Sequence, residues 1–125
     1  KLIEINIKNA KSKFSADKIS RSIANSALVK TAIYGGDPNW GRIVMAIGKT
    51  YEKVNKGKLQ ISFGKYLVAK NGLANPKIDE SKLRKYLSKD RININIDLNN
   101  GREESRILTC DFSHRYIDIN ASYKT

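Results

Sequence analysis

Cysteine, histidine, tryptophan and methionine each occur once in these 125 residues, and proline only twice. Each scarcity excludes something. One cysteine cannot form an internal disulfide, which fits a reducing compartment such as the cytoplasm. One histidine and one cysteine cannot build a zinc site, and neither HExxH nor CxxC spacing occurs, so no metal is expected. No apolar run approaches the ~20 residues that span a bilayer. Lys1-Leu2 opens directly into strand-like alternation, with no signal-peptide pattern. Position 1 is not Met, so the chain reads as a fragment or a product of processing.

What is present argues for one folded domain. Hydrophobic residues make up 40% of the chain, with six tyrosines and three phenylalanines, which is too much apolar material for a disordered segment. The net charge is +12 and the pI about 9.9. Lysine dominates and is scattered over every segment, so the charge first describes a solvated surface.

Leu2 to Lys8 alternates, with Ile3, Ile5 and Ile7 on one side, and predicts a strand. Ser15-Ala16-Asp17 offers a helix start, with Ile19, Ile23 and Ala27 as its apolar stripe. Ala27 to Tyr34 reads as a β-prone run broken by Gly35-Gly36. Asp37 then stands where an N-cap belongs, and Pro38 at the first helical position. Trp40, Ile43, Val44 and Ile47 follow at i, i+3, i+4 and i+7, the buried side of a core helix.

Glu52 to Lys58 reads as a loop. Leu59, Ile61 and Phe63 form a strand that turns at Gly64-Lys65 into Tyr66–Ala69. Asn71-Gly72 and Asn75-Pro76 punctuate the next loop. Asp79 caps a helix whose Leu83, Tyr86 and Leu87 face inward. Arg91 to Leu98 alternates cleanly. Asn99-Asn100-Gly101 turns it back into Arg106–Phe112, with Leu108, Cys110 and Phe112 on one side. Ser113 caps a last helical segment through Tyr116, Ile117 and Asn120. The expectation is an α+β fold, a mixed and largely antiparallel sheet with helices packed on one face, in a single domain.

Chemistry-bearing candidates are few. His114 stands beside a turn, where a lone histidine is surface or cap. Cys110 reads as inert core. Gly35-Gly36 lacks the following GK[ST] of a phosphate loop. Arg42 lies in a first helical turn, against the dipole. It has two readings, an ion pair with Asp37 or an outward reach to a ligand or partner chain.

Two separated motifs carry a resemblance. Val29-Lys30-Thr31-Ala32 followed by Asp37-Pro38-Asn39-Trp40-Gly41-Arg42 resembles the C-terminal part of the ornithine acetyltransferase family of arginine biosynthesis. Cys110-Asp111-Phe112-Ser113 and Tyr116-Ile117-Asp118-Ile119-Asn120-Ala121-Ser122-Tyr123-Lys124-Thr125 are similar to that family's C-terminal signature, with conservative departures at Phe112, Ser113 and Lys124. The similarity spans nearly the whole chain.

It implies residues 1–125 as the C-terminal domain of the family's β chain, with Asn120 and Thr125 touching the amino-acid substrate. The implied reaction moves acetyl from N-acetylornithine to a threonine and then to glutamate. That threonine becomes N-terminal by self-cleavage upstream of Lys1, so no catalytic nucleophile is expected here. The implied partners are the α chain of the same precursor and a second αβ unit, in a heterotetramer, with no nucleic acid and no membrane. No cofactor is implied, although acetyl-CoA serves some members as a donor substrate. The rival reading is a basic RNA-binding α+β module. Ser62-Phe63-Gly64-Lys65-Tyr66-Leu67-Val68 misses the spacing of the RNA-recognition aromatic motif.

Overall fold

The computed structural model describes residues 1–111. In chain order it contains β1 (Leu2–Ala10), α1 (Lys13–Ala24), α2 (Ala27–Tyr34), α3 (Trp40–Gly48), a short 3-10 turn (Lys56–Lys58), β2 (Gln60–Phe63), β3 (Tyr66–Lys70), β4 (Leu73–Ala74), α4 (Glu80–Leu87), β5 (Arg91–Asp97) and β6 (Glu103–Cys110). The strands form one sheet in the order β4-β3-β2-β5-β1-β6. Among the described strands only the β1–β5 pair is parallel; every other pairing is antiparallel. The expected α+β class with a mixed sheet is what forms.

The core follows from register. Ile3, Ile5 and Ile7 stand opposite Ile92, Ile94 and Ile96, and Ile61 and Phe63 continue the rows opposite Ile96 and Ile94. With period-2 alternation, all these side chains leave the sheet on one side. There they meet Ile19 and Ile23 of α1, Val29 and Ile33 of α2, Ile43 and Ile47 of α3, and Leu83 and Leu87 of α4 in one continuous cluster. The helices therefore cover a single face. The opposite face carries Glu4, Asn6, Ser62, Asn93 and Asn95; Asn6 Nδ2 donates to Asn95 Oδ1 (2.9 Å) and Asn95 Nδ2 to the Gly64 carbonyl (3.1 Å).

Four sequence expectations are corrected. Ala27–Tyr34 is a helix, not a strand. Ser26 caps it, its hydroxyl accepting from Val29 N (3.2 Å). Val29, Ala32 and Ile33 are buried while Leu28 and Tyr34 lie exposed; a 3.6-residue period was hidden inside a nearly unbroken apolar run. The first helix begins at Lys13, earlier than Ser15, because Ser12 is its cap.

β5 and β6 are not a hairpin, since β1 lies between them. The connection steps across the end of β1. Asn100 N donates to the Asn9 carbonyl (2.9 Å), and a Cβ on Gly101 would sit 2.1 Å from the Ala10 carbonyl oxygen. Finally, Leu108 is exposed and Cys110 only half-buried, so neither is core. The register places Ile107 opposite Ile5 and Thr109 opposite Ile3, which turns Ser105, Ile107 and Thr109 to the helices. Phe112 and the Ser113 segment lie outside the described residues.

Buried Ser105 is satisfied on that helical side. Its hydroxyl donates to Asp17 Oδ1 (2.7 Å), and its oxygen lies 3.0 Å from Ser20 Oγ, fastening α1 to β6. At the β2–β3 turn, Gly64 has φ +58° and a Cβ there would meet the Tyr86 ring at 2.6 Å. Gly64→Ala is therefore expected to destabilise the fold by at least about 1 kcal/mol through left-handed backbone and overlap, read as a lower denaturant midpoint; an unchanged midpoint would show that the turn and ring readjust freely.

Candidate functional site

The segment 35–42 joins α2 to α3 and carries the most distinctive sequence of the chain. α2 ends in a Schellman arrangement: Gly36 N donates to the Ile33 carbonyl (3.1 Å) and Asp37 N to the Ala32 carbonyl (2.8 Å). Gly36 takes the left-handed position that this closure requires, at φ +69°. Asp37 is thus the exit of one helix, not the cap of the next. The cap is Asn39, whose Oδ1 accepts from Arg42 N (3.2 Å), and Pro38 lies before it, outside the helix. Asn39 Nδ2 in turn reaches the Asp37 carboxylate (3.3 Å).

Arg42 forms no ion pair with Asp37. Its Nη1 donates to the Leu28 carbonyl (2.8 Å) and so ties α3 back to α2. Trp40 is half-buried and packs on the margin of the core, not within it.

Two clefts flank this segment and share Pro38 and Arg84 as walls. One, of about 700 Å³, is lined by Tyr34, Gly35, Gly36, Asp37 and Leu87. The other, of about 440 Å³, is lined by Trp40, Val68, Pro76, Ile78 and Leu83. The first presents a carboxylate and a guanidinium, from Asp37 and Arg84, beside exposed backbone. The second mixes apolar walls with Asn75, Glu80 and Arg84. Such walls can hold a ligand or a chain segment, but they bring no nucleophile and base together. Nothing in the sequence pointed to Arg84, which looks like an ordinary solvent-facing residue of α4.

Two threonine hydroxyls are engaged with helix backbone. Thr31 Oγ1 donates to the Ala27 carbonyl (2.8 Å), and buried Thr50 Oγ1 donates to the Ile47 carbonyl (2.6 Å). The Asp17–Ser105–Ser20 chain contains no base that could take a proton from serine: the Ser105 hydroxyl and then Lys13 hold the Asp17 carboxyl below its usual range. Among the described residues, no group of three or more His, Cys, Asp or Glu side chains could hold a metal, and no helix is long and apolar enough to cross a membrane. His114, Asn120 and Thr125 lie outside the described residues.

A further polar constellation sits on the open sheet face and joins three strands, so no sequence window could reveal it. Glu4 accepts from Asn6 Nδ2 (3.1 Å), Arg91 Nη2 (2.9 Å) and Arg106 Nε (2.7 Å). The Asn6 amide first, and the Arg106 and Arg91 guanidinium groups with it, hold the Glu4 carboxyl below the ordinary value against the opposing pull of desolvation. A carboxylate so held stays ionised at neutral pH and is a brace, not a proton donor.

Two outcomes follow. Asn39→Ala costs about 1 kcal/mol, as loss of a helix cap does, whereas Asp37→Ala costs clearly less; the reverse order in urea unfolding would restore Asp37 as the cap. Because the folded Glu4 pKa is depressed, its contribution is complete above the unfolded carboxylate value of about 4.3 and disappears as pH falls through the lower folded value. Glu4→Gln therefore lowers Tm at pH 7, and the gap to wild type closes in acid. A gap independent of pH would disprove this brace.

Comparison with known proteins accords with this arrangement. The ArgJ family model matches residues 1–125. "Arginine biosynthesis bifunctional protein ArgJ" of Nitrobacter winogradskyi is 48% identical over 125 residues, all of this chain and 30% of the relative. The protein of the same name from Bradyrhizobium diazoefficiens is 46% identical with the same coverage. The chain thus spans about 30% of the length of these curated relatives. The crystal structure of arginine biosynthesis bifunctional protein argJ from Bacillus halodurans superimposes with a TM-score of 0.90 at 35% identity, covering 98% of this chain and 58% of that one. A family match along every residue, joined to the same fold in a relative of known structure, makes this chain a member of the ArgJ family.

Proposed function

We propose that residues 1–125 are the C-terminal domain of the β chain of an acetyltransferase of arginine biosynthesis, supplying a wall of the substrate pocket and an assembly surface. The observation that carries this reading is the 48% identity across the whole chain to a protein named as a bifunctional protein of arginine biosynthesis. In the proposed reaction, a threonine oxygen upstream of Lys1 attacks the acetyl carbonyl of N-acetylornithine and ornithine leaves. The amine of glutamate then takes the acetyl group from the threonine ester, which restores the threonine. Acetyl-CoA is a possible second donor substrate of the parent protein.

The engaged hydroxyls of Thr31 and Thr50 favour a nucleophile elsewhere in that protein. Its partners in this reading are the α chain and a second αβ unit, in the cytoplasm. Asn120 and Thr125 are assigned to the substrate: an amide can accept from an α-ammonium or donate to an α-carboxylate, and a hydroxyl can do the same.

The test is kinetic and uses the intact parent protein. Asn120→Ala should lower kcat/KM for acetyl transfer about tenfold or more, the loss expected for one hydrogen bond to a charged group, with Tm unchanged. Wild-type kinetics in that variant would remove Asn120 from the site. Mass spectrometry of the same preparation should show a companion chain; a parent that never cleaves would refute the threonine mechanism.

A further inference from the structure

Four lysines converge on one small concavity remote in sequence from the segment 35–42. Lys65 comes from the β2–β3 turn, and Lys82, Lys85 and Lys89 come from α4 and the residues just after it. They line a cavity of about 320 Å³ together with the half-buried rings of Tyr66 and Tyr86. All four lysines are exposed. Among the described residues none of them forms an ion pair, although Asp79, Glu80 and Asp90 are neighbours in sequence. The helix dipole accounts for Lys85 and Lys89, which sit at the C-terminal end of α4. It does not account for Lys82 in the first turn, nor for Lys65, which arrives from a different element.

The aromatic part is fixed in place. The Tyr86 hydroxyl oxygen accepts from Asn93 N (2.8 Å), and its ring lies against Gly64 in space where no Cβ fits. The Tyr66 ring stands 5.8 Å from it at 55°. Lys65 Nζ lies 5.6 Å from the Tyr66 ring centre, and Lys89 Nζ lies 5.7 Å from that of Tyr86. Ammonium groups are compact point charges suited to phosphate, and aromatic faces beside them suit a stacked base.

We propose that this cluster is a site for the phosphates of a nucleotide, with Lys82, Lys85, Lys89 and Lys65 neutralising them and Tyr66 offering its face to the base. The cavity volume lies at the small end of the range for small-molecule pockets. The same chemistry could come from a single nucleic-acid strand, and the experiment separates the two sources. The inference is independent of the acetyl-transfer reading, because its readout is binding.

Binding to the intact parent protein is measured by calorimetry with ATP, with inorganic tripolyphosphate, and with a uridylate strand of about twelve nucleotides. The expected result is stoichiometric ATP binding that weakens with salt. It weakens at least about tenfold in the triple variant Lys82→Ser/Lys85→Ser/Lys89→Ser. The matched triple Lys53→Ser/Lys56→Ser/Lys58→Ser, elsewhere on the surface, leaves binding unchanged. Tyr66→Leu should weaken ATP and spare tripolyphosphate. Binding of the strand without ATP would overturn the nucleotide assignment in favour of a nucleic acid. Equal losses in the two triple variants would overturn the site itself and leave only diffuse charge, as would no binding of any probe.

Discussion

Everything in this domain hangs on the parallel pairing of β1 with β5. It sets Ile3, Ile5 and Ile7 against Ile92, Ile94 and Ile96 at the centre of the sheet, and these residues are essentially inaccessible to water. Burying that many isoleucines is the main apolar drive available to a chain of this size. A parallel pair also needs a long crossover, here filled by α1 to α4 and the β2–β4 hairpins. Because the side-chain period is two, a one-residue slip would turn all six isoleucines to the wet side. The polar opposite face reinforces the same register, with Glu4 holding Arg91 and Arg106 from the two strands that flank its own.

The segment 35–42 depends on that frame in turn. Its conformation is set by two helix ends that meet: a glycine closure that finishes α2 and an asparagine cap that starts α3. Arg42 locks the two helices through the Leu28 carbonyl. The motif that most distinguishes the sequence is therefore a rigid corner between clefts. A corner of this kind suits a domain that shapes a pocket while the reacting groups come from elsewhere.

Strands with strict alternation were legible in the sequence because one face is dry and the other wet: β1, β2 and β5 were found within a residue or two. The hairpin at Gly64 and the Asp79 cap were legible for equally local reasons. Ala27–Tyr34 was not, since apolar Ala27, Leu28 and Tyr34 lie on its exposed side and hide the 3.6-residue period. The cap at Asn39 lost to Asp37 because both are good caps and spacing alone does not choose between them. β6 was misjudged for a different reason. Which of its faces is buried is decided by its register on β1, a contact from the other end of the chain. The Glu4 brace and the lysine–tyrosine concavity were invisible for the same cause, as their members come from separate elements. The corner residues and the family resemblance could be read early.

The step that carries the chain from β5 over the end of β1 into β6 has a consequence for synthesis. Of the described strands β1 is made first, yet both of its neighbours are made last. As the domain emerges, this isoleucine-rich strand waits with two open edges until nearly every other described element exists. Such non-local pairing slows folding and leaves a sticky edge exposed meanwhile. A chain cut short before Glu103 would keep one side of β1 unpaired permanently, offering a template for aggregation where the intact domain has a closed seam.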